Sequence, residues 1–343
     1  MTTIRQLADL AGVSRMTAWR ALRNDSRVQP EVRREILALA AAYQYKPSYQ
    51  TAPLATPMNG VLGFITPRAS ATYYTNVLDG VMEEAFLQSY HVVVMQTFVP
   101  GQSQALLTRK ALHTLADQRV SGVLIAAGFA EPLHREDIML LQSRRIVPVA
   151  LDATAIDLPI NRALTDERKV AELVLDHLFS FGHRDILYAG LGVANQPLTT
   201  RDAAMLSAMK KRGLPPSACV LAETEERVCA RLLHALTASA VTAVAAHNDG
   251  LAAQIMRSVL DSGKRLPEDV SLIGCGNLPI GNYLPTALTT VDQHPEDVGR
   301  LALQLLVEAI HYQQEHAAPL PVRTMVVLPE LVIRRSCTVP PPR

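Results

Sequence analysis

The sequence predicts an α/β protein: an N-terminal all-α three-helix unit of helix-turn-helix form, then two doubly wound parallel-sheet lobes. Three observations carry this. The first fifty residues show helix-period apolar stripes and no strand-like run. A stretch rich in Pro and small polar residues, "PSYQTAPLATPMN" from Pro47 to Asn59, reads as a linker. From Gly60 onward, short Val/Ile/Leu runs alternate with helix-length amphipathic segments. With 343 residues, 48% hydrophobic and 19% charged, the chain is long enough for two or three domains with well-buried cores.

The first helix is expected from about Ile4 to Ala11. Thr3 and Gln6 form a capping box, the apolar residues Ile4, Leu7, Ala8, Leu10 and Ala11 share a stripe, and Gly12 suits the positive φ that ends a helix. After a three-residue turn Ser14 caps a second helix, about Arg15 to Leu22. Ala18, Ala21 and Leu22 face one side of it, with Val13 in the turn. Arg15, Met16, Trp19 and Arg20 project from the other. Arginine can hydrogen-bond twice to a guanine edge, methionine offers apolar contact to a thymine methyl, and Thr17 and Arg20 suit phosphate oxygens. A third helix starts at Pro30, with Val32, Ile36, Leu37, Leu39, Ala40 and Tyr43 expected to close the core.

The strands expected in the body are "GVLGFIT", "HVVVMQT", "SGVLIAA", "VPVAL", "DILYAGL", "CVLAE", "AVTAVAA" and "VSLIGC", with "MVVLPELVIRRS" as the last. Near-continuous apolar strands separated by helices mean parallel sheets covered on both faces. So many βα units over about 280 residues favour two lobes, with ligands where the carboxyl ends of strands meet a crevice.

Charge is more informative divided than summed. Residues 1–50 hold eight Lys/Arg against four Asp/Glu, a balance of +4, which leaves −3 for the remainder of a chain at +1. A basic head on a near-neutral body confines phosphate binding to the head. Cys219, Cys229, Cys275 and Cys337 show no C-x-x-C pairing and no histidine at ligand spacing, so they are expected as buried or incidental thiols with no metal. No apolar run is long enough to span a bilayer and the N-terminus lacks a leader pattern, so a cytoplasmic protein associated with the nucleoid, with no membrane partner, is expected. There is no G-x-S-x-G, G-x-x-x-x-G-K-[ST], H-E-x-x-H or well-placed G-x-G-x-x-G. A catalytic residue, a cofactor and an enzyme activity are therefore not expected, and neither is catalysis by His183-Arg184-Asp185. A solute-binding receptor for transport, the other rival, would need a leader and no basic head.

"TIRQLADLAGVSRMTAWRALRND" followed by "VQPEVRREILALAAAYQYKPS" resembles the DNA-binding domain of the LacI/GalR repressor family, whose pattern is close to T-I-x-D-V-A-x-x-A-G-V-S-x-x-T-V-S-R-x-L-N. The resemblance implies that Arg15, Met16 and Arg20 read bases, that Thr3, Thr17 and Arg27 contact the backbone, and that a homodimer binds a near-palindromic double-stranded operator. Trp19 stands where the family usually has serine; the indole either alters docking or packs on the first helix. The resemblance also implies that Leu54 wedges into the minor groove from a short hinge helix, although Pro53 would remove a hydrogen bond inside it.

The likeness continues through "FSFGHRDILYAGL", "TAVAAHNDGLAAQIMRSVLDSGKRLPEDVSLIGCGN" and "PTALTTVDQHPEDVGRLALQLL". It implies a periplasmic-binding-protein-like body with three crossovers. Residues 1–47 would form the head, 48–59 the hinge and 60–337 the effector-binding and dimerisation domain, with 338–343 a tail. Within the body, about 60–163 and 292–322 would form the lobe nearer the DNA, and about 164–291 and 323–337 the distal lobe. Effector positions carried over are Tyr73, Tyr74, Asp152, Arg201, Asn248 and Asn277, with Asn248 facing ligand and Asp249 capping the next helix. Many sugar-responsive members have an acid where this chain has Gly276, which leaves Asn277 as a neutral substitute. Leucine heptads that build tetramers are absent, so a dimer is expected.

Overall fold

The structure, a computed structural model, describes residues 4–22, 28–43, 60–67, 72–99, 101–126, 134–151, 159–192, 199–238, 240–316 and 318–342. The side chains of residues 4, 5, 15, 16, 19 and 238 also fall outside the description. The chain divides into two compact units, 1–56 and 57–343.

The first unit contains α1 (Ile4–Leu10), α2 (Arg15–Leu22) and α3 (Pro30–Ala42). Gly12 takes φ +63° between α1 and α2, as its lack of a Cβ permits. The core is small: Leu7, Ala8, Ala18, Ala21, Val28 and Ile36 are buried, and Ala11, Val13, Leu22 and Val32 pack at its edge. Leu10, Leu37 and Tyr43, expected inside, are exposed. Only Ile36 of α3 is fully buried, because a helix meeting small alanines presents a narrow seam.

The second unit begins with a βα series: β1 (Val61–Thr66), α4 (Thr72–Leu87), β2 (His91–Gln96), α5 (Gln104–Asp117), β3 (Gly122–Ile125), α6 (Arg135–Ser143), β4 (Val147–Leu151) and β5 (Asn161–Thr165). The chain then passes into α7 (Glu167–Ser180), β6 (Ile186–Leu191), α8 (Thr200–Lys211), β7 (Cys219–Ala222), α9 (Glu225–Ala238), β8 (Ala243–Ala246), α10 (Asp249–Asp261) and β9 (Ser271–Ile273). It closes with β10 (Thr290–Asp292), α11 (Pro295–His316), β11 (Thr324–Val327) and β12 (Glu330–Val332).

One sheet has the order β11-β5-β4-β3-β1-β2 and the other β7-β6-β8-β9, and every pairing in both is parallel. This is the doubly wound, two-lobed α/β architecture expected from the sequence. The core of the first sheet is split between α4 with α11 on one face and α5 with α6 on the other. The helices α4 and α11 cross at two glycines: a Cβ on Gly80 would lie 1.9 Å from the Glu296 carbonyl oxygen, and one on Gly299 would lie 2.0 Å from that of Val77.

Two boundaries expected from the sequence move. The strand β11 pairs in parallel with β5, so 324–327 belong to the first lobe, and the break in "MVVLPELV" falls at Leu328-Pro329, where proline cannot continue the ladder. Beyond it β12 pairs antiparallel with β10, and these two strands run between the sheets. At the other end Thr338, expected as tail, is tied to the second lobe: its N–H donates to Ser271 Oγ at 3.0 Å and its carbonyl lies 2.8 Å from His183 Nε2.

The second sheet has one continuous core, with Tyr188, Leu187, Val244, Leu272, Leu251 and Ile255 at its centre. All four cysteines are free, and burial pushes the thiols of Cys219, Cys275 and Cys337 up to about 12, which makes them inert at neutral pH. Among the described residues no helix is long and apolar enough to cross a membrane, and no group of His, Cys, Asp and Glu could hold a metal ion.

Candidate DNA interface and effector site

In the head, Ser14 Oγ accepts from Thr17 N–H at 3.1 Å and lies 2.8 Å from Thr17 Oγ1, which fixes the start of α2 as its sequence predicts. Ala18 and Ala21, both fully buried, seat this helix on its neighbours. Thr17 and Arg20 are left half-buried at the surface. Among the described residues Arg20 Nε is buried without a hydrogen-bond partner, and no carboxylate pairs with Arg20. By contrast Arg34 on α3 pairs with Glu31 at 3.3 Å. Thr3, Arg27 and Leu54 lie outside the described residues; Arg15 and Met16 lie on α2 with side chains outside the description.

In the body, the carboxyl ends of β6, β8 and β9 bring together residues far apart in sequence. Arg201, in the first turn of α8, donates from Nε and Nη2 to the two carboxylate oxygens of Glu167, each at 2.9 Å. Its Nη1 donates to the His247 carbonyl at the end of β8, also at 2.9 Å. The Glu167 carboxylate accepts a further bond from Gln293 Nε2 at 3.0 Å, and Thr165 Oγ1 donates to the Gln293 carbonyl at 3.1 Å. The two segments that pass between the lobes, after β5 and after β10, are thereby tied together and to Arg201.

Beneath this surface lies a buried polar network. Tyr188 Oη donates to Asp202 Oδ1 at 2.5 Å, His247 Nδ1 lies 2.9 Å from the same oxygen, and Thr199 Oγ1 donates to Asp202 Oδ2 at 2.6 Å. Burial works to raise the Asp202 carboxyl, but the bonds from His247, Thr199 and Tyr188 outweigh it and hold the group below the usual carboxylate range. Burial, then the Asp202 charge, pushes the Tyr188 hydroxyl well above 10. The network fixes the ends of β6 and β8 and the start of α8, and so the position of Arg201.

Several expected site residues take other roles. Asn248, expected to face ligand, caps α10 through Oδ1, which accepts from Leu251 N–H at 2.7 Å; its Nδ2 keeps its donors. Asp249, expected as the cap, is fully buried and accepts from Thr290 Oγ1 at 2.6 Å and Leu278 N–H at 2.7 Å. Asn277 does not substitute for the missing acid. Its Nδ2 donates to Asp292 at 2.8 Å and its Oδ1 accepts from Arg334 at 2.7 Å, so both ends of the amide are used within the protein. Tyr74 is a core aromatic, 5% exposed, packed with Val77 and Val81. Tyr73 is half-buried and meets it edge-on at 5.3 Å. Asp152 lies outside the described residues.

Sequence reasoning missed Glu167, Gln293 and the trio Tyr188, Asp202 and His247. An acid in the first turn of a helix ordinarily complements the helix dipole, so Glu167 carries no local sign of its second role. His183 is structural. Its Nε2 reaches the Thr338 carbonyl and lies 3.1 Å from Ser271 Oγ, and its Nδ1 lies 2.8 Å from Thr242 Oγ1.

A capped second helix whose arginine has no carboxylate partner among the described residues, in one chain with two parallel-sheet lobes that carry polar groups at their strand ends, is the pattern of a DNA-binding regulator with a sensory body. Comparison with known proteins agrees. Residues 3–48 match the description "Bacterial regulatory proteins, lacI family", and residues 175–337 match "Periplasmic binding protein-like domain". The chain belongs to the LacI family of transcriptional regulators. The HTH-type transcriptional repressor PurR of Mannheimia succiniciproducens is 26% identical over 342 residues, 98% of each chain. The ribose operon repressor of Halalkalibacterium halodurans is 26% identical over 339 residues, 98% of this chain and 97% of that one. The fold is similar to that of the Lac repressor dimer bound to operator and the anti-inducer ONPF, with TM-score 0.77 and 22% identity over 98% of this chain and 99% of that one. It is also similar to the transcriptional regulator CelR in complex with cellobiose, with TM-score 0.68 and 21% identity over 98% of this chain and 100% of that one.

Proposed function

We propose that this protein is a repressor that binds a near-palindromic operator as a homodimer and releases or tightens that grip when a small-molecule effector binds at the carboxyl ends of the second lobe's strands. The observation that carries the reading is α2: capped by Ser14, seated on Ala18 and Ala21, and leaving Thr17 and Arg20 at the surface, with no carboxylate among the described residues to neutralise the arginine. Arg15 and Met16 share that helix and complete the base-reading set, with Thr3, Arg27 and Leu54 as further DNA contacts. The named relatives, repressors aligned over 97–98% of their own length, support this assignment, and it involves no catalysis. The head is taken as 1–47, the hinge as 48–59 and the sensory domain as 60 to at least 338. In that domain Arg201 and the Nδ2 donors of Asn248 form the effector contacts, joined by Tyr73 and Asp152 from the first lobe.

Effector closing two lobes would alter the spacing of two heads on successive half-sites. The coupling is reciprocal: DNA changes effector affinity by the same factor as effector changes DNA affinity. The test uses a palindromic duplex selected from a random-sequence pool. Binding should fall steeply with salt and vanish on deletion of 1–47, while Arg201→Ala should retain duplex binding and lose the effector response. Duplex binding by the body alone would overturn the reading.

A further inference from the structure

We propose that the edge of the first lobe at which the chain arrives from the hinge is a second contact with the DNA backbone, with Arg119 and Arg145 as its phosphate-binding residues. The inference rests on the reading of the head as a DNA-binding unit and adds a surface which that reading leaves out.

Strand register defines the edge. The Gly60 carbonyl, just before β1, accepts from His91 N–H at 2.7 Å, and the Val61 carbonyl accepts from Ser121 N–H at 2.9 Å. The Ser121 carbonyl accepts in turn from Val147 N–H at 3.3 Å, so the amino ends of β2, β1, β3 and β4 form one row. The helices α5 and α6, which share a face of the sheet, both end at this row. They end alike. Val120 N–H donates to the Leu115 carbonyl at 3.4 Å and Ile146 N–H to the Leu141 carbonyl at 2.9 Å, and the residue before each has a positive φ, Arg119 at +56° and Arg145 at +59°. Glycine is the usual residue there, because a Cβ is strained in that conformation. The second lobe follows the rule: α7, α8 and α10 end at Gly182, Gly213 and Gly263, all at positive φ. The turn alone therefore does not account for arginine at two adjacent positions of the first lobe.

Arg119, Arg144 and Arg145 are all exposed. Asp117 pairs with Arg144 at 2.6 Å, and among the described residues no carboxylate pairs with Arg119 or Arg145. The acids Glu308 and Glu315 belong to α11 on the opposite face, where Glu308 pairs with Arg323. The balance of −3 over the body conceals this edge, because a sum says nothing of where the charges lie. Two neighbouring guanidinium groups open to solvent suit phosphate oxygens, which they can grip in a fork.

The covalent path selects DNA as the occupant. The hinge, taken as 48–59, runs directly into this edge, so whatever the head binds is tethered to it. Twelve residues span at most about 40 Å. Phosphate on a bound operator is then presented to the edge at a roughly millimolar effective concentration. Two arginines are too few to hold a duplex alone, and they add to a grip that the head has already made.

The test measures affinity of the full chain for the selected palindromic duplex by fluorescence anisotropy between about 50 and 200 mM salt. Each phosphate contact contributes about 0.9 to the slope of log affinity on log salt. Replacing both arginines by glycine, Arg119→Gly with Arg145→Gly, should make that slope shallower by about 1–2 and weaken binding about fivefold or more at about 150 mM salt. Glycine also relieves the strained turns, so the melting temperature of the body should be unchanged or raised. Arg119→Lys with Arg145→Lys keeps the charge and should keep the wild-type slope. The proposal is overturned if the glycine variant keeps the wild-type slope, or if the lysine variant loses as much slope as the glycine variant. A lower melting temperature at an unchanged slope would assign the arginines to the helix dipoles instead. Failure of the underlying reading registers differently: a wild-type chain that binds the duplex no more tightly than one lacking 1–47 removes the head from DNA binding and the proposal with it.

Discussion

Arg20 in the head and Arg201 in the body put the same side chain to opposite uses. The first lies on a small unit with a few buried alanines, and its Nε is left without a partner among the described residues. The second is held by both oxygens of one carboxylate and by a main-chain carbonyl, above a network of fully buried polar groups. An arginine awaiting a phosphate or a guanine edge gains nothing from an internal counter-ion, which would have to be displaced on binding. An arginine as enclosed as Arg201 needs one, because an unpaired charge at that depth is costly.

The largest way to break this comparison is at the body. Arg201→Ala leaves Glu167 partly buried with Gln293 as its one remaining partner among the described residues, and a loss of about 3 kcal/mol is expected in urea unfolding of the body. A change within about 0.5 kcal/mol would show that the pair does not organise the strand ends. A loss of about 2–3 kcal/mol is expected from Asp202→Ala, which strips the acceptor from Tyr188 and Thr199 and the partner from His247. In the head, Arg20→Ala should cost about 1–3 kcal/mol in operator affinity, measured by fluorescence anisotropy, and leave the melting temperature of the body unchanged. Smaller still, Ser14→Ala removes the α2 cap and should destabilise the head by about 1 kcal/mol, read from its own thermal transition.

Acid sharpens the comparison from a different side. Burial holds His177 and His183 neutral, below the usual imidazole range, while in the unfolded chain each titrates near about 6.5. The unfolded state therefore binds more protons below that pH. Their contribution to stability is complete above about pH 6.5 and is lost as pH falls through the lowered folded values. Calorimetry between pH 7.5 and about 5 should show the body melting earlier with acid, and His183→Gln should flatten part of that slope; an unchanged slope would remove His183 from the account.

What the sequence made legible is local. The cap at Ser14, the turn at Gly12 and the helix start at Pro30 each depend on residues within four positions. So do most strands, because a parallel strand buried on both faces must be apolar throughout. The strand β5, "NRALT", escaped because its buried positions include Asn161 and Thr165, satisfied by Arg323 N–H and the Gln293 carbonyl 162 and 128 residues away. The exchange of roles between Asn248 and Asp249 is similar. Either side chain can cap a helix, and the choice is made by Thr290 and Leu278 on elements that only the fold brings near. Family resemblance draws the eye to Arg201, but nothing local marks Glu167, 34 residues upstream, as its partner.

The central claim, an arginine left open for DNA in the head and one closed by a carboxylate in the body, is tested most directly by one titration series. Affinity for the selected palindromic duplex is measured for the wild type, Arg20→Ala and Arg201→Ala at fixed salt, at a temperature where all three are folded. The account predicts a loss of about tenfold or more for Arg20→Ala and near-wild-type binding for Arg201→Ala without effector. Equal losses in both, or full affinity in Arg20→Ala, would contradict it.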